Sequence, residues 1–273
     1  MQIKISYIIL CIVIVLGCYF LIKGKPIFKS GINRIRIGHI VSQSEQGEFK
    51  KKEITVKYRL FKSANNLKAP LVVILHGAGG RGSDNISDID YTKAKFIQML
   101  RKQYSPFILI PQCPSDRIWT INPKRPFNNF SLDSIPSSPV LEIVRDLIKK
   151  IISENSIDTD RIYIIGHSMG GTGLWELILR NPDLFTVAIP ICAASDPSHA
   201  YLVKDIHIWA FSGENDPIYS YKETQEMTDS LAKCGGEVKF TVIKGGGHDI
   251  EKNVYTDPDV FSWLFSKSKK KHN

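Results

Sequence analysis

Residues 161–175 read RIYIIGHSMGGTGLW. A β-favouring run, Ile162 to Ile165, ends in Gly166-His167-Ser168-Met169-Gly170, and helix-forming residues follow. A strand that passes through G-x-S-x-G into a helix marks a sharp turn that holds a serine hydroxyl clear of the backbone. A serine alone is a poor nucleophile at neutral pH. It needs a base, a group that orients the base, and N–H donors for an oxyanion. The fold is therefore decided by whether the rest of the chain supplies these groups in the right order.

Working outward, short apolar runs recur at Leu71–Leu75, Phe107–Ile110, Val187–Ile191, Ile206–Phe211 and Val238–Ile243. Runs of this kind are buried on both faces in a parallel sheet. Helical periodicity lies between them, over Thr92–Lys102, Val140–Glu154, Met169–Arg180, Tyr221–Cys234 and Asp259–Phe265. Upstream, RIRIGHIVS and KEITVKYRLFK are expected to form a hairpin around the polar QSEQGE turn, which completes eight strands. Strands alternating with helices predict an α/β fold, a mostly parallel eight-stranded sheet flanked by helices. The expected boundaries are a linker at 24–35, a catalytic domain at 36–266 and a basic tail at 267–273.

In the α/β-hydrolase arrangement the order is serine, acid, histidine. His248 follows the last strand directly, in the glycine-rich stretch KGGGHDI, and is the expected base. Three glycines permit a close backbone approach, which suits an imidazole that must reach a neighbouring strand end. Asp216, in SGENDP after the seventh strand, is the expected acid, with Asp196 in AASDP as the rival. Met169 supplies one oxyanion N–H, and Ala78 in LHGAGGRG supplies the other, with Gly79 as the fallback. That loop also spells G-x-G-x-x-G at Gly77, Gly79 and Gly82. The polar SDNISDID follows it, and no acid occurs between Tyr91 and Ser115, so a dinucleotide site is not indicated. The Pro-rich stretch 113–139 is too long for a plain connection, and it leaves the ligand-binding edge of the sheet. Trp119 and Phe127 within it, and His167 beside the serine, are candidate pocket residues.

The formal net charge of +9 belongs to the chain ends. Without the four lysines of residues 1–30 and the four of residues 266–273, 28 basic residues face 27 acidic ones. No nucleic-acid motif accompanies the charge, so no nucleic-acid partner is expected. Ile5 to Ile22 is almost wholly apolar and bracketed by lysines, which predicts membrane association through residues 1–23. An uncleaved anchor, a cleaved signal and a lipoprotein signal acylated at Cys18 in VLGC remain open, as does the side of the membrane that the domain faces. Cys113, Cys192 and Cys234 have neither zinc nor disulfide spacing, so neither a metal nor a disulfide is expected.

Taken in order, PLVVILHGAGGRGSDN, PFILIPQCP, DTDRIYIIGHSMGGTGLWELILRNPDLF, IPICAASDP, WAFSGENDPI and GGGHDI followed by VYTDPDVFSWLF resemble the bacterial phospholipase/carboxylesterase and prolyl-oligopeptidase-like esterases. The resemblance runs from about Leu71 to Phe265. It implies a serine esterase that works through an acyl-enzyme without cofactor or metal. Ser168, Asp216 and His248 would take the triad roles, and Ala78 and Met169 the oxyanion roles. Two departures stand near the expected pocket: Glu251-Lys252 where such proteins often carry a Trp, and Tyr219-Ser220 where an apolar-Pro pair is common. The expected function is an envelope-attached carboxylesterase on a small-molecule or glycan ester, with acylated carbohydrate as one substrate class. A serine peptidase of the same fold and a non-catalytic binder are the alternatives, and the sequence leaves the oligomeric state open.

Overall fold

Why the apolar runs become strands is visible in how they share out their side chains. Along β3 (Ala69–Leu75), Leu71, Val73 and Leu75 enter one core while Val72 and Ile74 enter another on the opposite face. Along β5 (Ile157–His167), Ile162 and Ile164 divide from Tyr163 and Ile165 in the same way. Side chains on a strand alternate between faces, so a run that must bury both has no polar position to spare.

The structure is a computed structural model that describes residues 26–64, 67–121 and 131–269. In chain order the larger elements are α1 (Pro26–Val41), β1 (Glu45–Lys51), β2 (Ile54–Phe61), β3, α2 (Tyr91–Gln103), β4 (Phe107–Gln112), α3 (Pro139–Glu154), β5, α4 (Met169–Arg180), β6 (Val187–Ile191), β7 (His207–Gly213), α5 (Tyr221–Lys233), β8 (Val238–Ile243), α6 (Glu251–Thr256) and α7 (Pro258–Phe265). The sheet order is β1-β2-β4-β3-β5-β6-β7-β8. Only the pairings of β2 with β1 and with β4 are antiparallel. Helices α3, α4 and α5 cover one face, and α1, α2, α6 and α7 cover the other. The eight-stranded, mostly parallel α/β-hydrolase sheet expected from the sequence is the one observed.

The chain reverses its direction of growth around β3. β4 is added on one side of it, and β5 to β8 proceed on the other. Loops leaving the carboxyl ends of β3 and β5 diverge at such a switch point and leave a crevice between them. His76 to Gly82 follow β3 and Ser168 follows β5, so both lie at that crevice.

Three boundaries differ from expectation. RIRIGHIVS is not a strand, and the 24–35 linker does not end where expected, because helix α1 runs through both to Val41. Arg34, Ile35, Arg36, Gly38 and His39 lie on its outer side while Ile40 and Val41 are buried, a helical division that strand alternation over the isoleucines concealed. The hairpin is instead β1 with β2, and its turn is at Lys52-Glu53, where Lys52 takes φ +54°. QSEQGE therefore begins a strand. The tail also starts later than residue 267. The Lys267 carbonyl accepts from Tyr163 Oη at 2.8 Å, and Lys269 N–H donates to the Asp160 carbonyl at 2.9 Å. The expected anchor or signal at 1–23, with Cys18, lies outside the described residues, as does Phe127. Among the described residues no helix is long and apolar enough to cross a membrane.

Candidate active site

The turn after β5 is forced by its neighbours. Ser168 has φ +56° and ψ −124°, a combination that costs a non-glycine residue about 1–3 kcal/mol. Its N–H is held by the Ile191 carbonyl at 2.9 Å. The flanking glycines have steric reasons. A Cβ on Gly166 would stand 2.3 Å from the Gly170 carbonyl oxygen, and a Cβ on Gly170 would stand 2.3 Å from the Leu75 carbonyl oxygen. The G-x-S-x-G spelling thus follows from a turn packed against itself and against the end of β3.

His248 and Asp216 meet at this turn. His248 Nε2 is 2.8 Å from Ser168 Oγ, and His248 Nδ1 is 2.9 Å from Asp216 Oδ2. Asp216 Oδ1 accepts from the N–H groups of Ile218 and Tyr219 at 2.8 and 3.1 Å. Burial pushes the Asp216 carboxyl up. The hydrogen bonds from His248, from these two N–H groups and from Cys192 outweigh it, so its pKa lies below the ordinary carboxylate value. Tyr219 stacks on the His248 ring at 5.8 Å and is itself buried. The rival acid, Asp196, is committed elsewhere: it accepts from the Leu132 N–H at 2.8 Å and pairs with His199 at 2.8 Å.

The close approach that the three glycines were expected to allow is real, but the position that cannot carry a side chain is on the facing strand. A Cβ on Gly213 would lie 2.0 Å from the Gly247 carbonyl oxygen, whereas Gly247 itself has open space. Gly245 takes φ +67°. Gly213→Ala is therefore expected to push the His248 loop outward and lower kcat about 100-fold, the usual cost of a misplacement near 1 Å. Steady-state kinetics on the folded variant checks this, and a kcat within threefold of the parent would refute it.

The loop after β3 is pinned from beneath by groups that the sequence reading did not assign. His76 Nε2 faces the Cys113 N–H at 3.0 Å, so it is an acceptor. Nδ1 must then carry the proton, which it donates to the Gly77 carbonyl at 2.7 Å. Burial, aided by the charges of Lys93 and Arg81, pushes the His76 pKa down to about 3, in keeping with this neutral ring. Gln112 Nε2 donates to the Gly80 carbonyl at 3.1 Å. Above this support, Ala78 begins a short 3₁₀ turn and Met169 begins α4. Among the described residues neither of their N–H groups has an acceptor, as is usual for the first N–H groups of a helical turn. A Cβ on the intervening Gly77 would come 3.6 Å from Ser168 Cβ, which sets the loop directly beside the serine.

Among the described residues, Trp119 is not in the lining of the cleft that holds Ser168. It is fully buried, its ring lies 5.1 Å from that of His76, and its Nε1–H donates to the His76 carbonyl at 2.9 Å. It supports the β3 loop from the core side. The small residue opposite it, Gly173, leaves space for the indole: a Cβ there would stand 2.6 Å from Trp119 Cβ. Trp119→Phe, which strands the buried His76 carbonyl, is expected to cost about 1–3 kcal/mol of folding stability. Denaturant unfolding measures it, and an unchanged midpoint would contradict it.

His167 lies in the wall of the cleft. Its Nε2 is 3.0 Å from the His248 carbonyl and 3.5 Å from Glu251 Oε2. Burial pushes its pKa down despite the nearby Glu251 charge. The cleft holds about 440 Å³ and is lined near the serine by Leu75, Gly77, Ala78 and Ile218. Glu251, from the first of the two departures noted in the sequence, also lines it, while Ser220, from the second, caps α5. His167, Cys192 and His248 offer atoms near enough to share a metal ion, but His248 is already bonded on both ring nitrogens and Cys192 to Asp216.

The sequence profile of the phospholipase/carboxylesterase family matches residues 58–257. The chain is similar to acyl-protein thioesterase 1 of Neurospora crassa, 28% identical over 200 residues that cover 65% of this chain and 79% of that protein. It resembles the crystal structure of a thermostable esterase, with a TM-score of 0.77 and 34% identity, over 85% of this chain and 64% of the esterase. It also shares the fold of the Pyrococcus horikoshii acylaminoacyl peptidase, with a TM-score of 0.61 and 17% identity, over 84% of this chain but only 42% of the peptidase.

Proposed function

Since the chain belongs to the phospholipase/carboxylesterase family, whose chemistry is the hydrolysis of carboxylic esters, we propose that Ser168, His248 and Asp216 are its catalytic triad and that it cleaves esters through an acyl-enzyme. The observation that carries this reading is the unbroken hydrogen-bonded chain from Ser168 Oγ through His248 to Asp216, at 2.8 and 2.9 Å.

The proposed steps follow from the atoms. Asp216 accepts a hydrogen bond from His248 Nδ1–H, which keeps the proton on Nδ1 and leaves the Nε2 lone pair facing Ser168 Oγ. His248 takes the serine proton as Oγ attacks the ester carbonyl, and the oxyanion receives the Ala78 and Met169 N–H groups. His248 then protonates the departing alcohol. Water repeats the sequence on the acyl-enzyme and releases the acid. Asp216 fixes the tautomer and stabilises the imidazolium without itself taking the proton. The substrate in this reading is a small-molecule or carbohydrate ester, and residues 1–23 attach the protein to the cell envelope.

The test is labelling of the full chain with a fluorophosphonate probe beside hydrolysis of p-nitrophenyl acetate. Covalent labelling that a Ser168→Ala variant lacks supports the reading. A folded wild-type protein that neither labels nor hydrolyses the ester would overturn it.

A further inference from the structure

The cleft that holds Ser168 has a mixed lining. Leu75, Ala78 and Ile218 give it an apolar part, and Asp88, Asp90, Lys93 and Glu251 add a group of charges to the same wall. Two of these charges are enclosed, Glu251 is partly buried and Asp90 is exposed. Lys93 is 8% exposed and Asp88 is 5% exposed. Lys93 Nζ donates to the Asp88 carbonyl, its only hydrogen-bond acceptor among the described residues. The ammonium lies close enough to Asp88, Asp90 and Glu251 to feel all three charges, and close enough to His76 to depress its pKa. The Asp88 carboxylate accepts from no other residue among those described, and burial pushes its pKa up to about 6. Glu251 Oε2 accepts no hydrogen bond among the described residues, and its nearest polar neighbour is His167 Nε2 at 3.5 Å. Asp90 is the exception, because its carboxylate caps α2 through the Lys93 N–H at 2.7 Å.

A buried ammonium with spare protons, beside a buried carboxylate and a half-buried one with spare lone pairs, is costly unless something completes the set. The mixture of charge narrows what that is. A carboxylate ligand would meet three carboxylates, and an ammonium would meet Lys93. An alkyl chain would bury the charges without replacing their hydrogen bonds. A hydroxyl donates and accepts at once, and two or three on a rigid frame could serve Lys93, Asp88 and Glu251 together.

We propose that the Lys93–Asp88–Glu251 group in the cleft wall is a subsite for a neutral polyhydroxylated group, so that the ester carried to Ser168 is one of a sugar or similar polyol. This rests on the ester-hydrolase reading above and adds the residues that select the alcohol. Lys93 donates to an alcohol oxygen, and Asp88 and Glu251 accept from its hydroxyls.

The experiment compares two acetates with different alcohols, methyl 6-O-acetyl-glucopyranoside and butyl acetate, in wild type, Lys93→Met and Glu251→Gln. Thermal unfolding and fluorophosphonate labelling are recorded for each protein. Wild type is expected to favour the sugar ester in kcat/KM, and each variant to reduce the sugar-to-butyl ratio about tenfold, the scale of one lost hydrogen bond. Free methyl glucopyranoside is expected to inhibit p-nitrophenyl acetate hydrolysis competitively in wild type and more weakly in the variants. If Lys93→Met does not fold, Glu251→Gln decides, since its side chain is partly exposed. A preference for butyl acetate, or a ratio unchanged in folded variants, overturns the subsite and leaves Lys93 a structural residue. A wild type that fails to label fells the underlying hydrolase reading, and this is recognised before any ratio is compared.

Discussion

Ser168→Ala is expected to lower kcat on p-nitrophenyl acetate by about 10⁶-fold, the scale seen when a triad serine is removed. The side chain that is lost makes one polar contact, to His248 Nε2 at 2.8 Å. The backbone keeps its conformation, because alanine has the same Cβ as serine and φ +56° is no more strained than before. The N–H bond to Ile191 is also kept. The thermal unfolding midpoint should therefore stay within a degree or two. Residual activity should remain measurable above the uncatalysed rate if the Ala78 and Met169 N–H groups hold the oxyanion as proposed. Stopped assays at high enzyme concentration, beside a melting curve, read both. A loss below 100-fold in the folded variant would assign the nucleophile to another group.

Asp216→Asn is expected to lower kcat by about 10⁴-fold with the geometry intact. The amide can donate toward His248 Nδ1 where the carboxylate accepted, which turns the imidazole to the tautomer with its proton on Nε2. That proton then faces Ser168 Oγ, and no base remains. The bonds from the Ile218 and Tyr219 N–H groups can still reach the amide oxygen, so the loop keeps its shape. The pH dependence carries a sign. The folded pKa of Asp216 lies below its ordinary value, because its hydrogen bonds outweigh burial. Its contribution to stability is thus complete above the unfolded pKa of about 3.9 and is lost as pH falls through the lower folded value. Wild type and Asp216→Asn should differ in unfolding free energy by a constant amount from about pH 5 to 9 and converge only in strong acid. A difference that changes across neutral pH would mean that another group titrates with it.

Much of this site can be read from residue order. Ser168, Asp216 and His248 each follow an apolar strand, and a parallel sheet brings successive strand ends to one edge. Local signals that compete with one another were less legible. The isoleucines of RIRIGHIV suit a strand by propensity, yet α1 buries Ile40 and Val41 and leaves Ile35 on its outer side. Phe49 and the residues around it form an edge strand despite a polar composition, because pairing with β2 decides the matter.

Trp119 shows the other limit. A tryptophan in a long loop after a strand suits either a pocket wall or a core, and the sequence does not rank them. Gly173, more than fifty residues away, leaves the space that the indole fills, and His76 provides its acceptor. The same holds for Lys93 and Glu251, which are surface residues by type and enter the cleft wall only when α2 and α6 pack side by side. The sequence by itself determined the sheet, the elbow and the order of the candidate triad, because strand periodicity and the glycines of a tight turn are local properties of the chain. Only the tertiary structure decided which aromatic supports the loop after β3 and which charges line the cleft, because burial and hydrogen-bond partners are supplied by residues remote in sequence.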